Sequence, residues 1–248
     1  MISIKNKQAI EKMAQAGKKL AEIFKELKFF ITAQMTTLEI DAWIEKQLQH
    51  YGLISQSKGY HGYQHVSCIS VNDEVVHGVP GPLKKLQEGD LVKVDICVAY
   101  DGYCADMARC FFIGKPAPEA QRLVEVAQAA LDKGIEKAVV GGFLSDISAA
   151  IQQEVEKHGY GVVREFAGHG IGKKMHEEPE LLNYGKPGQG PKLRVGMALA
   201  IEPMITQGHY AVRILSDGWT VVTADKSLAA HVEDTVVITQ TGPLIITR

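Results

Sequence analysis

The chain lacks the features that mark several classes of protein. Its four cysteines include no Cys-x-x-Cys pair, so neither a disulfide scaffold, a zinc ribbon nor a thiol redox motif is indicated. No stretch approaches the ~20 apolar residues of a membrane helix, and charged residues interrupt the start of the chain where a secretory signal needs an apolar run. The net charge of -2 gives no support for binding DNA or a membrane. We therefore expect a cytoplasmic protein, and a monomer.

Three acidic residues lie inside stretches that otherwise resemble buried β-strands: Asp95, Glu202 and Glu233. A carboxylate in an apolar strand is costly unless something positive meets it. One such acid is explained by an ion pair. Three of them, with a fourth at Asp106 and a Gly-His-Gly centred on His169, indicate a bound cation.

The secondary-structure pattern repeats once along the chain. In each half, two predicted helices precede a series of strand-like runs. The repeat predicts an α+β fold in which residues 1–248 form one domain, with related halves of about 1–115 and 116–248 around a shared sheet. The predicted helices cover 6–28, 36–52, 118–139 and 145–157, and the predicted strands cover 66–71, 90–98, 103–113, 161–167, 196–202, 209–214, 219–223 and 230–239.

Capping signals set the predicted ends of two helices. Thr36 and Glu39 have the spacing of a capping box for the second helix, which we expect to end near Gly52. Ser145 is the candidate N-cap of the fourth helix.

A hairpin relates the first two acids to each other. Asp101-Gly102 is typical of a two-residue turn between strands. Such a turn places Cys97 opposite Asp106, with Asp95 diagonal to Asp106 on the same face. Diagonal Cβ atoms lie within ~7–8 Å, so both carboxylates can converge on one ion or on an adjacent pair. The alternative, that Asp106 merely ends a strand, leaves Asp95 without a partner.

A second constellation surrounds two histidines, His169 in Gly168–Gly172 and His176 before Glu177-Glu178-Pro179. The glycine spacing is not that of a dinucleotide-binding turn. No Gly-Lys-Ser/Thr of a phosphate loop is present, and the second histidine of a zincin is missing. A lone histidine is usually a structural residue. Two histidines together with four strand-borne acids favour a functional site.

These residues resemble a known family. The chain is similar over nearly its whole length to the type I methionine aminopeptidases, in their short bacterial form without an N-terminal zinc-binding extension or the type II insertion. The resemblance implies the pita-bread fold, in which two pseudosymmetric αβ halves pack helices on a curved, mainly antiparallel sheet. It is carried by Gly59–Tyr63, Cys68–Asn72, Val76–Pro80, Gly168–Gly172, His176, Leu181–Tyr184, Ile201–Met204, Asp217–Thr220, Asp225 and Ser227.

The resemblance implies a site for two divalent metal ions held by Asp95, Asp106, His169, Glu202 and Glu233, with Asp106 and Glu233 bridging both. Four carboxylates balance the charge of two divalent ions, so the buried acids become tolerable with metal bound. Oxygen ligands with one imidazole fit manganese, iron or cobalt, and zinc is also compatible.

The same resemblance implies removal of the initiator methionine from nascent chains when the second residue is small. The implied catalytic residues are His77 and His176, which contact the peptide bond, and Glu202, which moves protons. The implied substrate-binding residues are His77, His176, Tyr60, His61, Tyr63, Cys68 and Trp219. Lysines of the first helix are candidate contacts to the ribosome, although a solvated helix face is the simpler explanation.

Several positions depart from the family pattern. Cys97 replaces a more usual Thr, and Asp234 replaces the usual His after the last ligand, which resembles the proline-specific relatives. The other departures are Ser57, Ala105, Met107 and Met175.

Two alternative functions remain open at the level of sequence. A proline-specific aminopeptidase or prolidase has the same fold and ligands, but usually carries an N-terminal domain and lacks the segment around Trp219. A non-catalytic pita-bread protein that binds partners is the other alternative. Such proteins tend to lose metal ligands, and all five are present here.

Overall fold

Two helices precede the strands in each half of the chain, as the sequence predicts. The computed structural model describes residues 1–248. The helices are α1 (Lys7–Phe30), α2 (Thr37–Tyr51), α3 (Pro118–Glu136) and α4 (Leu144–Glu156). The strands are β1 (Ile54–Ser55), β2 (Cys68–Val71), β3 (Glu74–Val76), β4 (Leu91–Tyr100), β5 (Tyr103–Phe112), β6 (Gly161–Val162), β7 (Gly168–Gly170), β8 (Glu177–Leu181), β9 (Ala198–Ile201), β10 (Met204–Thr206), β11 (Val212–Ile214), β12 (Val221–Thr223), β13 (Ala229–His231), β14 (Glu233–Thr239) and β15 (Gly242–Ile245).

The main sheet contains strands from both halves. Its order is β1-β4-β5-β14-β9-β7-β8, with β2 on β4 and β15 on β14. Its strand pairs are antiparallel. Two smaller sheets, β13-β10-β6 and β11-β12-β3, lie beside it. The predicted α+β class with a shared antiparallel sheet is confirmed. None of the four helices is long and apolar enough to cross a membrane.

The hairpin between β4 and β5 has the predicted register. Asp101 and Gly102 both have positive φ, 47° and 77°, as a type I′ turn requires. Tyr100 therefore faces Tyr103, and Cys97 faces Asp106. Because side chains alternate between faces, this register directs the acids of both strands to one side of the sheet.

Amphipathic helices cover the sheet. α1 packs on β4 and β5 and buries Met13, Leu20 and Leu27 completely. Each such side chain contributes ~1.5–3 kcal/mol by its removal from water. The Thr36–Glu39 capping box of α2 is present, with both reciprocal hydrogen bonds.

The prediction that Ser145 caps the fourth helix is wrong. α4 begins at Leu144, and the Asp146 carboxylate accepts the Phe143 backbone N–H at 2.8 Å. The Ser145 hydroxyl instead donates to the Gln189 carbonyl at 2.9 Å. The acidic residue in the first turn thus accepts the N–H of the N-cap residue itself, as the acidic partner of a capping box does.

Of the predicted strands, one is much shorter in the structure and another is divided in two. The run 161–167 contains β6 alone, and β7 begins after it at Gly168. The run 230–239 divides between β13 and β14, which belong to different sheets. Val232 continues the apolar pattern across the second break, so periodicity alone does not locate it, whereas the charged Arg164 and Glu165 mark the end of β6.

Candidate metal centre

Five adjacent strands of the main sheet supply the five predicted metal ligands, one from each. In the order β4-β5-β14-β9-β7 these are Asp95, Asp106, Glu233, Glu202 directly after β9, and His169. Residues distant in sequence thus reach one face of the sheet because their strands are neighbours.

Small side chains leave room between these ligands. Ala108 on β5 faces Asp95 on one side and Glu233 on the other. His169 similarly faces Ala200. A larger residue at Ala108 would project between the two carboxylates, and one at Ala200 would crowd His169, since opposed Cβ atoms are only ~4.5–5.5 Å apart.

The ligand atoms fall into two overlapping groups. Those of Asp106, His169 and Glu233 lie within 4.8 Å of one another, and those of Glu202, His231 and Glu233 do the same. Glu233 belongs to both groups, as a bridging carboxylate would. Asp95 belongs to neither, but it lines the same cavity as Asp106 and interacts with that carboxylate strongly enough for its own pKa to be raised.

Burial and mutual repulsion keep these acids from ionising easily without a cation. Desolvation raises the pKa of Asp106 to about 6. Desolvation and the Asp106 charge raise the pKa of Asp95 and Glu202 well above the usual range, and the pKa of Glu233 is raised in the same way. Like charges this close cannot all ionise unless positive charge balances them.

His169 is oriented as a metal ligand. Its Nδ1 lies 3.0 Å from the Gly170 carbonyl oxygen, so we assign the ring proton to Nδ1. This leaves the Nε2 lone pair directed at the acids, 3.5 Å from Glu202 Oε1 and 3.9 Å from Asp106 Oδ2. Burial lowers the pKa of His169 to about 4, which keeps the ring neutral and able to coordinate.

The residues present fit two divalent ions. Glu233 Oε1 is buried and has no hydrogen-bond partner in the protein, which is a costly state for a carboxylate oxygen. A cation at this position satisfies it. Four carboxylates and one imidazole form a predominantly oxygen donor set suited to Mn²⁺, Fe²⁺, Co²⁺ or Zn²⁺.

The strands that carry Asp106 and Glu233 are held together behind the site. The Thr235 hydroxyl accepts the Asp106 N–H and donates to the Asp106 carbonyl, both at 2.8 Å. Next to it, the fully buried Asp234 carboxylate receives Arg109 Nη2 at 2.6 Å and Arg248 Nε at 2.7 Å. Asp234, at which the chain differs from the family pattern, therefore joins β14 to β5 and to the C-terminal Arg248 through ion pairs.

The acids form the floor of a cavity of about 640 Å³. Its walls include nearly all of the predicted substrate-binding residues, namely Tyr60, Tyr63, Cys68, His77, His176 and Trp219. The exception is His61, which does not line the cavity and packs its ring edge-on against Tyr60 at 4.3 Å. Tyr63 and Trp219 are in contact, with ring centroids 4.9 Å apart.

Two histidines lie above the acids. His176 is exposed, and its Nδ1 lies 2.9 Å from the Tyr60 hydroxyl oxygen. His77 is half-buried and has a positive φ of 58°, a conformation uncommon outside glycine. Burial lowers the pKa of His77 to about 4 and, with His61 nearby, also lowers that of His176. Both rings are therefore neutral at pH 7.

Sequence reasoning missed His231. This residue is 2% exposed and contributes a potential ligand atom beside Glu202 and Glu233. Its position two residues before Glu233 was the one available signal, since alternate residues of an extended strand share a face. The break between β13 and β14 weakens even that signal.

The chain matches known proteins over its full length. Residues 11–240 match the model of metallopeptidase family M24. The methionine aminopeptidase of Clostridium acetobutylicum is 49% identical over 247 residues, covering 100% of this chain and 99% of the relative. Methionine aminopeptidase 1 of Bacillus subtilis is 42% identical over 248 residues, covering 100% of both.

Solved structures give the same result. A methionine aminopeptidase from Thermotoga maritima superposes with a TM-score of 0.98 at 41% identity, covering 100% of both chains. A prolidase from Pyrococcus furiosus has a TM-score of 0.81 at 24% identity, and the match covers 99% of this chain but 65% of the prolidase. The prolidase likeness shows the fold alone, while the full-length likeness is to the methionine aminopeptidases. The chain therefore belongs to metallopeptidase family M24 and, within it, to the methionine aminopeptidases.

Proposed function

We propose that this chain hydrolyses the peptide bond after an N-terminal methionine, using two divalent ions held by Asp95, Asp106, His169, Glu202 and Glu233. The observation that carries the proposal is the convergence of four carboxylates with raised pKa values and one lone-pair-bearing imidazole on a single cavity floor. When bound, the ions supply Lewis acidity, which polarises a scissile carbonyl and lowers the pKa of water.

His176 is suited to stabilise negative charge on the carbonyl oxygen. The Tyr60 hydroxyl 2.9 Å away can donate to Nδ1, which leaves the proton of the neutral ring on Nε2. Because His176 lines the cavity, that N–H is available as a donor to a substrate carbonyl bound there. Removing one such donor typically costs ~10²–10³ in rate. His77, which is also neutral and lines the same cavity, is proposed to contact the peptide bond from a second direction.

Glu202 is proposed to move protons during the reaction. Its carboxyl group is half-buried and lines the cavity. Its pKa is raised by desolvation and by the charges of Asp106 and Asp95. A carboxyl group whose pKa is raised holds a proton more readily, so it can accept one from the nucleophile and pass it to the leaving amine.

The cavity wall offers an apolar pocket for the methionine side chain. Tyr63 and Trp219 form one aromatic corner, with Cys68 and Tyr60 beside them. Met175 also lines the cavity, at the position where many relatives carry Phe. A flexible thioether adapts its shape more readily than a ring, so the pocket is expected to tolerate modest changes in the side chain that it binds.

The biological substrates proposed here are nascent chains whose second residue is small, processed in the cytoplasm where they emerge from the ribosome. The full-length likeness to methionine aminopeptidases supports an N-terminal methionine as the residue removed. The shared sheet supports treating residues 1–248 as one catalytic domain.

Three peptides test the proposal with and without added divalent metal. Met-Ala-Ser should be cleaved rapidly, Met-Leu-Ser slowly and Ala-Pro-Ala not at all, and chelation should abolish the cleavage. Preferential cleavage of Ala-Pro-Ala would support the proline-specific alternative. No cleavage of any peptide with metal bound would support a non-catalytic role.

A further inference from the structure

His231 lies beside the metal centre in a buried position. It ends β13 opposite Met204 of β10 and is 2% exposed. Its carbonyl oxygen accepts a hydrogen bond from Cys110 Sγ at 3.3 Å, which fixes the backbone. Its Nε2 is buried and has no hydrogen-bond partner in the protein. An unpaired buried ring nitrogen is destabilising and calls for an explanation.

That nitrogen faces the Glu202 carboxylate. Two imidazoles flank this carboxylate on opposite oxygens, with His169 Nε2 3.5 Å from Oε1 and His231 Nε2 3.5 Å from Oε2. The Oε1 side is shared with His169 and therefore points to the ion that both would hold. The Oε2 side is left needing a donor, since a ligating carboxylate is normally hydrogen-bonded through its free oxygen.

We propose that His231 is a positioning residue that donates Nε2–H to Glu202 Oε2 and so directs Oε1 at the metal. The inference rests on the proposed metal centre. A closure of a few tenths of an ångström converts the 3.5 Å separation into a hydrogen bond of ordinary length. The hydrogen bond satisfies both His231 Nε2 and Glu202 Oε2, and it holds the Glu202 side chain in one rotamer.

Two substitutions separate this role from that of a sixth metal ligand. His231→Gln keeps an N–H donor but removes the imidazole, while His231→Leu removes the donor and keeps an apolar side chain of similar bulk. His50→Gln, at an exposed site in α2, is the matched control. The measurements are metal affinity by titration calorimetry, the visible spectrum of the Co²⁺-loaded protein, and kcat and KM on Met-Ala-Ser.

We expect His231→Leu to weaken binding of one metal ion by about 10–100-fold, the range for loss of a group that orients a ligand. Its kcat should fall more than 10-fold with KM nearly unchanged. His231→Gln should stay within about 3-fold of wild type in affinity and kcat, and the cobalt spectrum should keep its band positions. Unfolding midpoints measured without metal identify any variant that has simply lost its fold.

Three results would overturn the inference. If His231→Gln loses a metal equivalent or shifts the cobalt bands as His231→Leu does, the imidazole is itself a ligand. Metal affinity and kcat of His231→Leu within 3-fold of wild type would mean that the contact has no role. An unfolded His231→Leu beside an impaired but folded His231→Gln would also contradict it. Failure of wild type to cleave peptides overturns the proposed function instead, because the affinity comparison does not require turnover.

Discussion

Replacing Asp234 with Asn should strongly destabilise the protein, although Asp234 does not line the cavity. The Asp234 side chain is 0% exposed and pairs with Arg109 and Arg248 at 2.6 and 2.7 Å. It also accepts the Thr247 hydroxyl at 2.8 Å. The amide keeps the shape of the carboxylate but leaves two guanidinium groups facing a neutral group that carries its own N–H donors.

The magnitude follows from the burial of the partners. Breaking a buried ion pair on one side costs ~3–5 kcal/mol. The low end applies because Arg109 and Arg248 remain 21% and 38% exposed, and water solvates part of their charge. We therefore expect a loss of about 3 kcal/mol in the free energy of unfolding, which lowers the Tm by ~6–12 °C for a chain of this size.

Asp132→Asn is the matched control because it removes the other partner of the same arginine. That pair, Arg248 to Asp132, is 38% and 45% exposed, and exposed pairs contribute ~0–1 kcal/mol. Denaturant unfolding of both variants, each without metal, gives the comparison. A loss in Asp234→Asn no larger than that in Asp132→Asn would refute the reasoning.

Three further predictions concern the site. Metal affinity should fall as pH falls through about 6, because protons compete with the metal for Asp106 and the other acids with raised pKa values. Calorimetry should therefore detect proton release when metal binds. Affinity independent of pH between about 5 and 8 would contradict this. Cys97→Thr should leave two metal ions bound and kcat unchanged or modestly raised, because Cys97 faces Asp106 but is not needed as a ligand. If calorimetry shows that this variant has lost a metal equivalent, the Cys97 thiolate is a ligand. Tyr60→Phe should lower kcat roughly 10-fold, because the variant loses the hydroxyl that orients His176 but keeps His176 itself. Tyr51→Phe is the control. Equal kcat in the two variants would show that the Tyr60 hydroxyl has no part in the mechanism.

Local chemistry made part of this site predictable from sequence. The Asp101-Gly102 turn and the two-residue period of strands are sufficient to place Cys97 opposite Asp106. The acids at 202 and 233 are conspicuous because their neighbours are apolar. Such inferences need only the residues adjacent in the chain or across one hairpin.

What sequence could not supply depends on contacts between distant segments. β8 escaped prediction because it contains three charged residues and Pro179, a pattern untypical of a strand. In the sequence, His231 cannot be told apart from an ordinary strand residue. Only the pairing of β13 with β10 places its buried Nε2 beside Glu202. Similarly, the edge-on contact of His61 with Tyr60, outside the cavity, depends on a loop conformation that no periodicity encodes.

The central claim, that four acids and one histidine from five adjacent strands hold two catalytic metal ions, is tested most directly by counting bound metal in Glu233→Gln. The matched control is Glu180→Gln, an exposed glutamate that lines the same cavity. Metal content and Met-Ala-Ser hydrolysis should be measured together after metal-free protein is titrated with Mn²⁺ or Co²⁺. Wild type and Glu180→Gln should bind two ions and cleave the peptide, while Glu233→Gln should bind fewer than two and retain less than a tenth of wild-type kcat/KM. Two tightly bound ions and full activity in Glu233→Gln would contradict the account.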